Sequence, residues 1–246
     1  MTDLHWIEPD WPAPPNVRAL STLRTGGVST GPYASLNLGA HVGDDPAAVE
    51  RNRALLCKAI GLATQPLWLS QVHGTDVVDV VSQAMAPTAD GAFALRSGRA
   101  CTILTADCLP VLFCDRDGTR VAAAHAGWRG LVGGVLSRTI DALAIPASRL
   151  IAWLGPAIEQ DAFEVGVEVR NQFIARDAGH AAAFVANERG RWQADLYGLA
   201  QRELERSGVS GIYGGGERCY EDAARFFSYR RDGRTGRMAT LIWLAQ

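Results

Sequence analysis

The chain has 246 residues, 48% of them hydrophobic, and its 24 basic and 26 acidic residues leave a formal net charge of −2. That balance excludes a mainly electrostatic partnership with nucleic acid or with an anionic membrane, and the length suffices for a full core without disulfide staples. No apolar run approaches the ~20 residues a spanning helix needs. The acidic, Pro-rich start MTDLHWIEPDWPAPP lacks the pattern of a secretory signal, and five irregularly spaced cysteines suit a reducing, cytoplasmic setting.

The first 16 residues read as an arm leading into a single catalytic domain over 1–246, with no repeat and no interdomain linker. Arg18–Leu23 reads as a strand, followed by a turn at Gly26-Gly27. Asp45-Pro46 starts a helix, since Asp caps free N–H groups and Pro suits the first helical position. That helix ends at Gly61. Leu67–Val72 and Val77–Val81 read as strands on either side of His73-Gly74. Cys101–Thr105 and Leu109–Cys114 are apolar strands, Asp115–Gly118 is a tight turn, and Val121–Ala124 is a short buried strand. Leu131, Val135, Leu136, Thr139 and Leu143 recur at helical spacing, predicting a helix over Leu131–Leu143. Leu150–Leu154 is a strand, Val167–Ala178 and Asp195–Ser207 are helices with Asp195 capping the second, and Met238–Leu244 closes the chain as a strand. Several strands follow one another without a helix between them. The expected class is therefore α/β (α+β), with mixed sheets covered by helices rather than a doubly wound parallel sheet.

Three segments place a metal-capable side chain at a strand end beside small residues: Ser70-Gln-Val-His73-Gly-Thr, Thr105-Ala-Asp-Cys108-Leu-Pro and Ala124-His125-Ala-Gly-Trp-Arg-Gly130. Strand ends with tight loops are where rigid scaffolds present reactive groups. Two imidazoles and a thiolate form a set suited to Zn(II), and three protein ligands leave a fourth position open, the catalytic pattern. Taken singly, each residue has a plainer reading. A His beside glycines is commonly a hydrogen-bonded structural residue, and a Cys in an apolar strand is commonly core, as expected for Cys57, Cys101 and Cys114. A Cys108–His125 pair for nucleophilic catalysis is equally allowed by the residues alone.

Asp107 is a candidate acid or base, or a turn residue. Arg24 ahead of Gly26-Gly27 is a candidate anion ligand. Phe226-Phe-Ser228-Tyr-Arg230-Arg231-Asp-Gly233 mixes groups able to stack a base and bind phosphate with those of an ordinary amphipathic edge. Asp90-Gly91 reads as a turn, His5 and His180 as surface residues, and His41 is ambiguous.

Together these segments resemble a known family. The resemblance rests on Arg24-Thr-Gly-Gly-Val-Ser29, Ser35-Leu-Asn-Leu-Gly39, Gln71-Val-His-Gly74, Ala106-Asp-Cys-Leu-Pro110, Ala124-His-Ala-Gly-Trp-Arg-Gly130, Gly155-Pro-Ala157, Phe227-Ser-Tyr-Arg-Arg231 and Thr235-Gly-Arg237. The family has been called polyphenol oxidase or laccase-like protein, peptidoglycan editing factor, and purine nucleoside phosphorylase with adenosine deaminase activity. The resemblance implies a zinc site on His73, Cys108 and His125. It also implies a single-domain fold similar to the catalytic domain of cytotoxic necrotizing factors, with two mixed sheets between helical layers.

The implied activities weigh differently against the residues. A multicopper laccase needs a His-rich trinuclear cluster, and this chain has five histidines; copper at the site would reflect substitution for zinc. Phosphorolysis of adenosine, inosine or methylthioadenosine needs an anion site, for which Arg24, Arg129, Arg230 and Arg231 are candidates. It also needs groups for the ribose or base, here Asn37 and Gln71, with Ser228 a further substrate-binding candidate, and an acid for the departing purine, here Asp107. Adenosine deamination suits a metal-activated water. Removal of a wrong amino acid from a cell-wall nucleotide precursor and a non-catalytic purine- or metal-binding module are the alternatives. The expected partners are a purine nucleoside and phosphate, and the default state is a monomer.

Overall fold

The computed structural model describes residues 4–83 and 86–245. In chain order the strands are β1 (Trp6–Ile7), β2 (Val17–Thr22), β3 (Val77–Asp79), β4 (Gly91–Ala94), β5 (Cys101–Thr105), β6 (Leu109–Asp115), β7 (Val121–Ala126), β8 (Leu150–Leu154), β9 (Glu164–Val165), β10 (Phe184–Ala186), β11 (Trp192–Ala194), β12 (Gly211–Gly214) and β13 (Met238–Leu244). The helices are α1 (Pro46–Ala59), α2 (Trp128–Gly133), α3 (Val135–Ala142), α4 (Val167–Arg176), α5 (Leu196–Arg206) and the single turn α6 (Tyr229–Asp232).

Two sheets stack face to face between helices. One is four-stranded in the order β1-β2-β13-β5, paired antiparallel throughout. The other is six-stranded in the order β12-β8-β6-β7-β4-β3, antiparallel at its centre and parallel at both edges. A small three-stranded sheet, β10-β11-β9, lies apart from them.

The layering explains why β5 to β8 are buried along their whole length and mostly apolar: both faces are covered, so a hydrophilic side would need partners inside. In β6, Val111 and Phe113 face α3, α4 and α5, while Leu112 and Cys114 face the other sheet. In β7, Ala122 and Ala124 take the helix side, and Val121 and Ala123 the sheet side. Leu56 of α1 covers the outer face of the four-stranded sheet against Leu20 and Leu241. Phe113 is fully buried, which contributes about 1.5–3 kcal/mol.

Local signals fix several boundaries. Asp45 accepts the N–H of Ala47 and caps α1, and Gly61 takes the left-handed conformation just beyond its end, with φ +68°. Other expectations are corrected. The helix expected over Leu131–Leu143 is two helices, because Gly134 adopts φ +98° between α2 and α3. The apolar period survives the break because both halves pack on the same sheet. Leu67–Val72 makes only two bridging pairs, Leu67 with Cys101 and Ser70 with Thr88. Asp195 makes no side-chain cap bond at α5. Helix α4 stops at Arg176, and Ala178–Ala183 continues as a 3-10 helix. His180 is buried, not on the surface: its Nδ1 bonds the Phe173 carbonyl and its Nε2 lies 2.9 Å from Glu203. The arm contributes β1, paired with Ser21 and Thr22; residues 1–3 of it lie outside the described residues.

Candidate metal centre and the cavity around it

The connection from β5 to β6 passes from one sheet to the other in three residues, 106–108. Asp107 takes φ +91° there, a conformation unusual for a residue with a side chain and typical of sites held by their surroundings. It leaves Cys108 at the start of β6, beside the end of β7, where His125 pairs with Pro110. His73, with φ +61°, stands on the loop ahead of β3. The donor atoms of His73, Cys108 and His125 lie within 4.8 Å of one another. Cys108 Sγ is 3.7 Å from His73 Nε2, and the two imidazole rings meet edge to face at 4.8 Å.

Asp90 organises this group and was missed as a functional residue in the sequence. It is fully buried. Its Oδ1 accepts His125 Nδ1–H at 2.7 Å and the His73 N–H at 2.9 Å. Its Oδ2 accepts the Gly74 N–H at 2.6 Å and the Val72 N–H at 3.1 Å. One carboxylate therefore fixes the His73 loop and leaves His125 Nε2 free as a donor, the carboxylate–histidine arrangement typical of metal sites. A signal for it was present: a carboxylate placed directly before the small-residue strand Gly91–Ala94 is costly unless it is partnered.

Gly127 lies across from Cys108 as the antiparallel pairing of β6 and β7 continues. A Cβ there would sit 2.9 Å from His73 Cδ2 and 3.0 Å from Cys108 Sγ. The glycine in Ala-His-Ala-Gly-Trp is thus a requirement of space.

The electrostatics suit a metal ligand set. Burial by itself would raise the Cys108 thiol, but the His125 and His73 imidazoles outweigh it and hold the group down at about 6. Burial would likewise lower His125, yet Cys108 and Asp90 push it up to about 9. Asp90 is lowered, because the bonds from His125 and the backbone N–H groups outweigh its burial. Cys108 and His125 each favour the other's charged form above the Asp90 carboxylate, and a metal ion would compete with protons for the same donor atoms.

The centre opens into a cavity of about 560 Å³, within the usual range for a small-molecule site. Asp107 lines it and is almost fully buried. Burial raises its carboxyl, against the Ser228 hydroxyl, the Arg230 N–H and the charges of Arg230 and Arg231. Its Oδ2 accepts the Arg230 N–H at 2.6 Å, and its Oδ1 has no hydrogen-bond partner among the described residues. Gln71, Arg129 and Arg230 also line the cavity. The Gln71 amide is engaged in both directions with the Leu104 backbone, and the Arg129 guanidinium lies over the Trp128 ring.

Four other candidates are absent from the cavity lining. Arg24 donates to the Ala34 and Ala223 carbonyls and lies over Phe227. Asn37 is buried and tied to Gly39, Asp44 and the Arg237 N–H. Ser228 caps α6. Arg231 holds the carbonyls of Cys219, Tyr220 and Phe226. In each case backbone groups take up the polar atoms that the sequence left free. His41, Tyr229 and Arg237 reach the cavity without having been assigned a role.

A two-sheet α/β fold carrying a His-Cys-His metal group at the mouth of a small-molecule cavity defines the class. Residues 18–245 match the family described as multi-copper polyphenol oxidoreductase laccase, and the chain belongs to that family. It is similar to the purine nucleoside phosphorylase PA4543 of Pseudomonas aeruginosa, with 55% identity covering 97% of this chain and 98% of that one. It is also similar to the purine nucleoside phosphorylase YfiH of Escherichia coli K12, with 52% identity over 97% and 98%. Among solved structures, protein NMB0706 of Neisseria meningitidis superposes with a TM-score of 0.95 at 52% identity, covering 98% of this chain and 99% of that one. YlmD of Geobacillus stearothermophilus superposes with 0.88 at 31% identity, over 98% and 96%.

Proposed function

We propose that the chain is a zinc-dependent purine nucleoside phosphorylase with a companion adenosine deaminase activity. The observation that carries this reading is the meeting, in one cavity, of the His73–Cys108–His125 group with the buried acid Asp107. The relatives named as purine nucleoside phosphorylases, similar over nearly the whole chain, support the substrate class.

The donor set fits zinc. Two imidazoles and a thiolate are typical zinc donors, and here all three lie within 4.8 Å of one another, with Cys108 Sγ 3.7 Å from His73 Nε2. When bound, zinc supplies Lewis acidity at the open coordination position. The laccase chemistry in the family's description finds less support. His73, Cys108 and His125 are the His/Cys/Asp/Glu grouping able to hold an ion among the described residues, and His180 is locked into the helical layer against Glu203.

The chain's own residues account for the rest. In phosphorolysis a phosphate oxygen bonds to C1′ of the ribose as the C1′–N9 bond breaks, and the bond's electron pair leaves with the purine. Asp107, whose carboxyl burial raises above its usual value, is the group placed to deliver a proton to a purine nitrogen, so that the base departs neutral. Arg230 holds Asp107 through its N–H and lines the cavity, its Nη1 donating to the Ala162 and Glu164 carbonyls. In deamination a water adds at C6 and ammonia leaves, and the same acid serves the departing amine. Cysteines that are all free suit a reducing cytoplasmic setting. No helix among the described residues is long and apolar enough to cross a membrane.

Product chromatography from adenosine tests the reading. Wild-type protein with phosphate yields adenine and ribose 1-phosphate, Cys108→Ala yields neither, and Asp107→Asn retains its zinc but loses about 10²–10⁴ in kcat. No product from zinc-loaded, folded wild-type protein overturns it.

A further inference from the structure

The metal centre makes no use of two sequence motifs, Ser35-Leu-Asn-Leu-Gly39 and Thr235-Gly-Arg237. The fold presses them together, and the outcome of the packing is the position of Arg237. Asn37 Oδ1 accepts the N–H groups of Gly39 and Arg237, each at 2.9 Å. A Cβ on Gly39 would sit 2.7 Å from Arg237 Cγ, and a Cβ on Gly236 would sit 2.7 Å from the Phe227 ring and 3.0 Å from Asn37 Cβ. Both glycines are cut to fit the arginine and its support.

Arg237 lies between the main cavity and an adjoining recess of about 340 Å³, and His41, Tyr229 and Arg237 line both. One Nη of Arg237 donates to the Thr235 and Gly236 carbonyls. Its Nε and other Nη have no hydrogen-bond partner, and no carboxylate pairs with it, among the described residues. Thr235, also lining the recess, is 2% exposed, and its hydroxyl has no hydrogen-bond partner among the described residues. A buried hydroxyl left unpaired costs stability, and an anionic ligand would complete it together with the cavity-facing nitrogens of Arg237. The local potential agrees: besides its own burial, the charges of Arg237 and Arg53 hold His41 below its usual value.

We propose that this junction is the seat of a tetrahedral phosphate-type oxyanion, received by the free fork of Arg237, the His41 imidazole and the Thr235 hydroxyl. The inference deepens the nucleoside reading and rests on it for the anion's role: it places inorganic phosphate beside the metal centre, on residues other than Arg24 and Arg231. The same chemistry would receive the phosphoryl group of a nucleotide-bearing substrate.

Calorimetric titration of the full-length, zinc-loaded protein with inorganic phosphate, and separately with UMP, tests it. Arg237→Gln weakens phosphate binding about 10–100-fold through loss of a charge-assisted fork. Thr235→Val weakens it about 3–10-fold without lowering Tm, since the hydroxyl has no partner among the described residues to lose. That variant keeps the test valid if Arg237→Gln folds poorly. Phosphate affinity unchanged in Thr235→Val and in folded Arg237→Gln overturns the proposal, as does wild-type protein that binds neither probe. Phosphate bound at this site by a protein that makes no adenine upholds the site and removes the phosphorylase reading. Binding of UMP alone, lost in the same variants, upholds the site as a nucleotide phosphoryl seat and likewise removes phosphorolysis.

Discussion

Replacing Asp90 tests how the metal centre is built. The carboxylate accepts four N–H groups, three from the Val72–Gly74 backbone and one from His125 Nδ1. Asparagine keeps one acceptor oxygen and puts an NH2 group where the other stood. If the NH2 faces His125, the imidazole must accept at Nδ1 and carry its proton on Nε2, the atom needed for the metal. If it faces Val72 and Gly74, two part-buried donors meet a donor. A fully buried orphaned donor costs about 1–3 kcal/mol; these N–H groups are part-buried, so the pair costs less than the roughly 2–6 kcal/mol of two buried ones. Loss of such a ligand-orienting carboxylate typically costs about 10–100-fold in metal affinity. The assay is zinc affinity by competition with a chromophoric chelator, alongside the Tm of metal-free protein, where each kcal/mol is worth roughly 2–4 °C at this size. Both Asp90→Asn and Asp90→Ala should weaken zinc at least about tenfold and lower the metal-free Tm. The sign with pH is also set. Because Asp90 is lowered in the folded state, its contribution is present above the usual carboxylate range and is lost as pH falls through its folded value. A folded variant binding zinc within twofold of wild type refutes the role assigned to Asp90.

Two further tests concern the ligand triad. In metal-free protein, alkylation of Cys108 by iodoacetamide should rise with a midpoint near pH 6, and zinc should suppress it. A midpoint near the ordinary thiol value of ~8.5 would show that the imidazoles do not act on the sulfur, while buried Cys57, Cys101, Cys114 and Cys219 should stay unlabelled throughout. Gly127→Ala places a methyl against His73 and Cys108; cobalt substituted into the site should then show an altered d–d spectrum or fail to bind, and an unchanged spectrum would remove the steric argument.

His73, Cys108 and His125 stood out in the sequence as candidate donors because strand ends, glycines and donor chemistry are local properties, but those features allowed a Cys108–His125 nucleophilic pair equally, and it was the family resemblance that implied the zinc set. The burial of β5 to β8 was visible for the same reason: a strand apolar on both alternating faces has to be covered on both. Asp45 and Gly61 marked the ends of α1, since capping acts within a few residues. Gly134 hid its break because the apolar period runs on through α2 and α3. Arg24, Asn37, Ser228 and Arg231 looked like site residues because a sequence displays polar atoms without saying which backbone groups lie in reach.

What the sequence carried by itself is the three candidate donors, His73, Cys108 and His125, and the mostly apolar runs that drive the sheets together. Tertiary structure decided which polar residues remain free to meet a substrate. Asp90 takes its meaning from a loop and a strand that lie apart from it in the chain, and Arg237 and Thr235 take theirs from bonds left unmet. Whether a donor is satisfied is a property of the folded neighbourhood, and it is settled only when β7, the His73 loop and the two glycine-bearing segments around Arg237 have closed on one another.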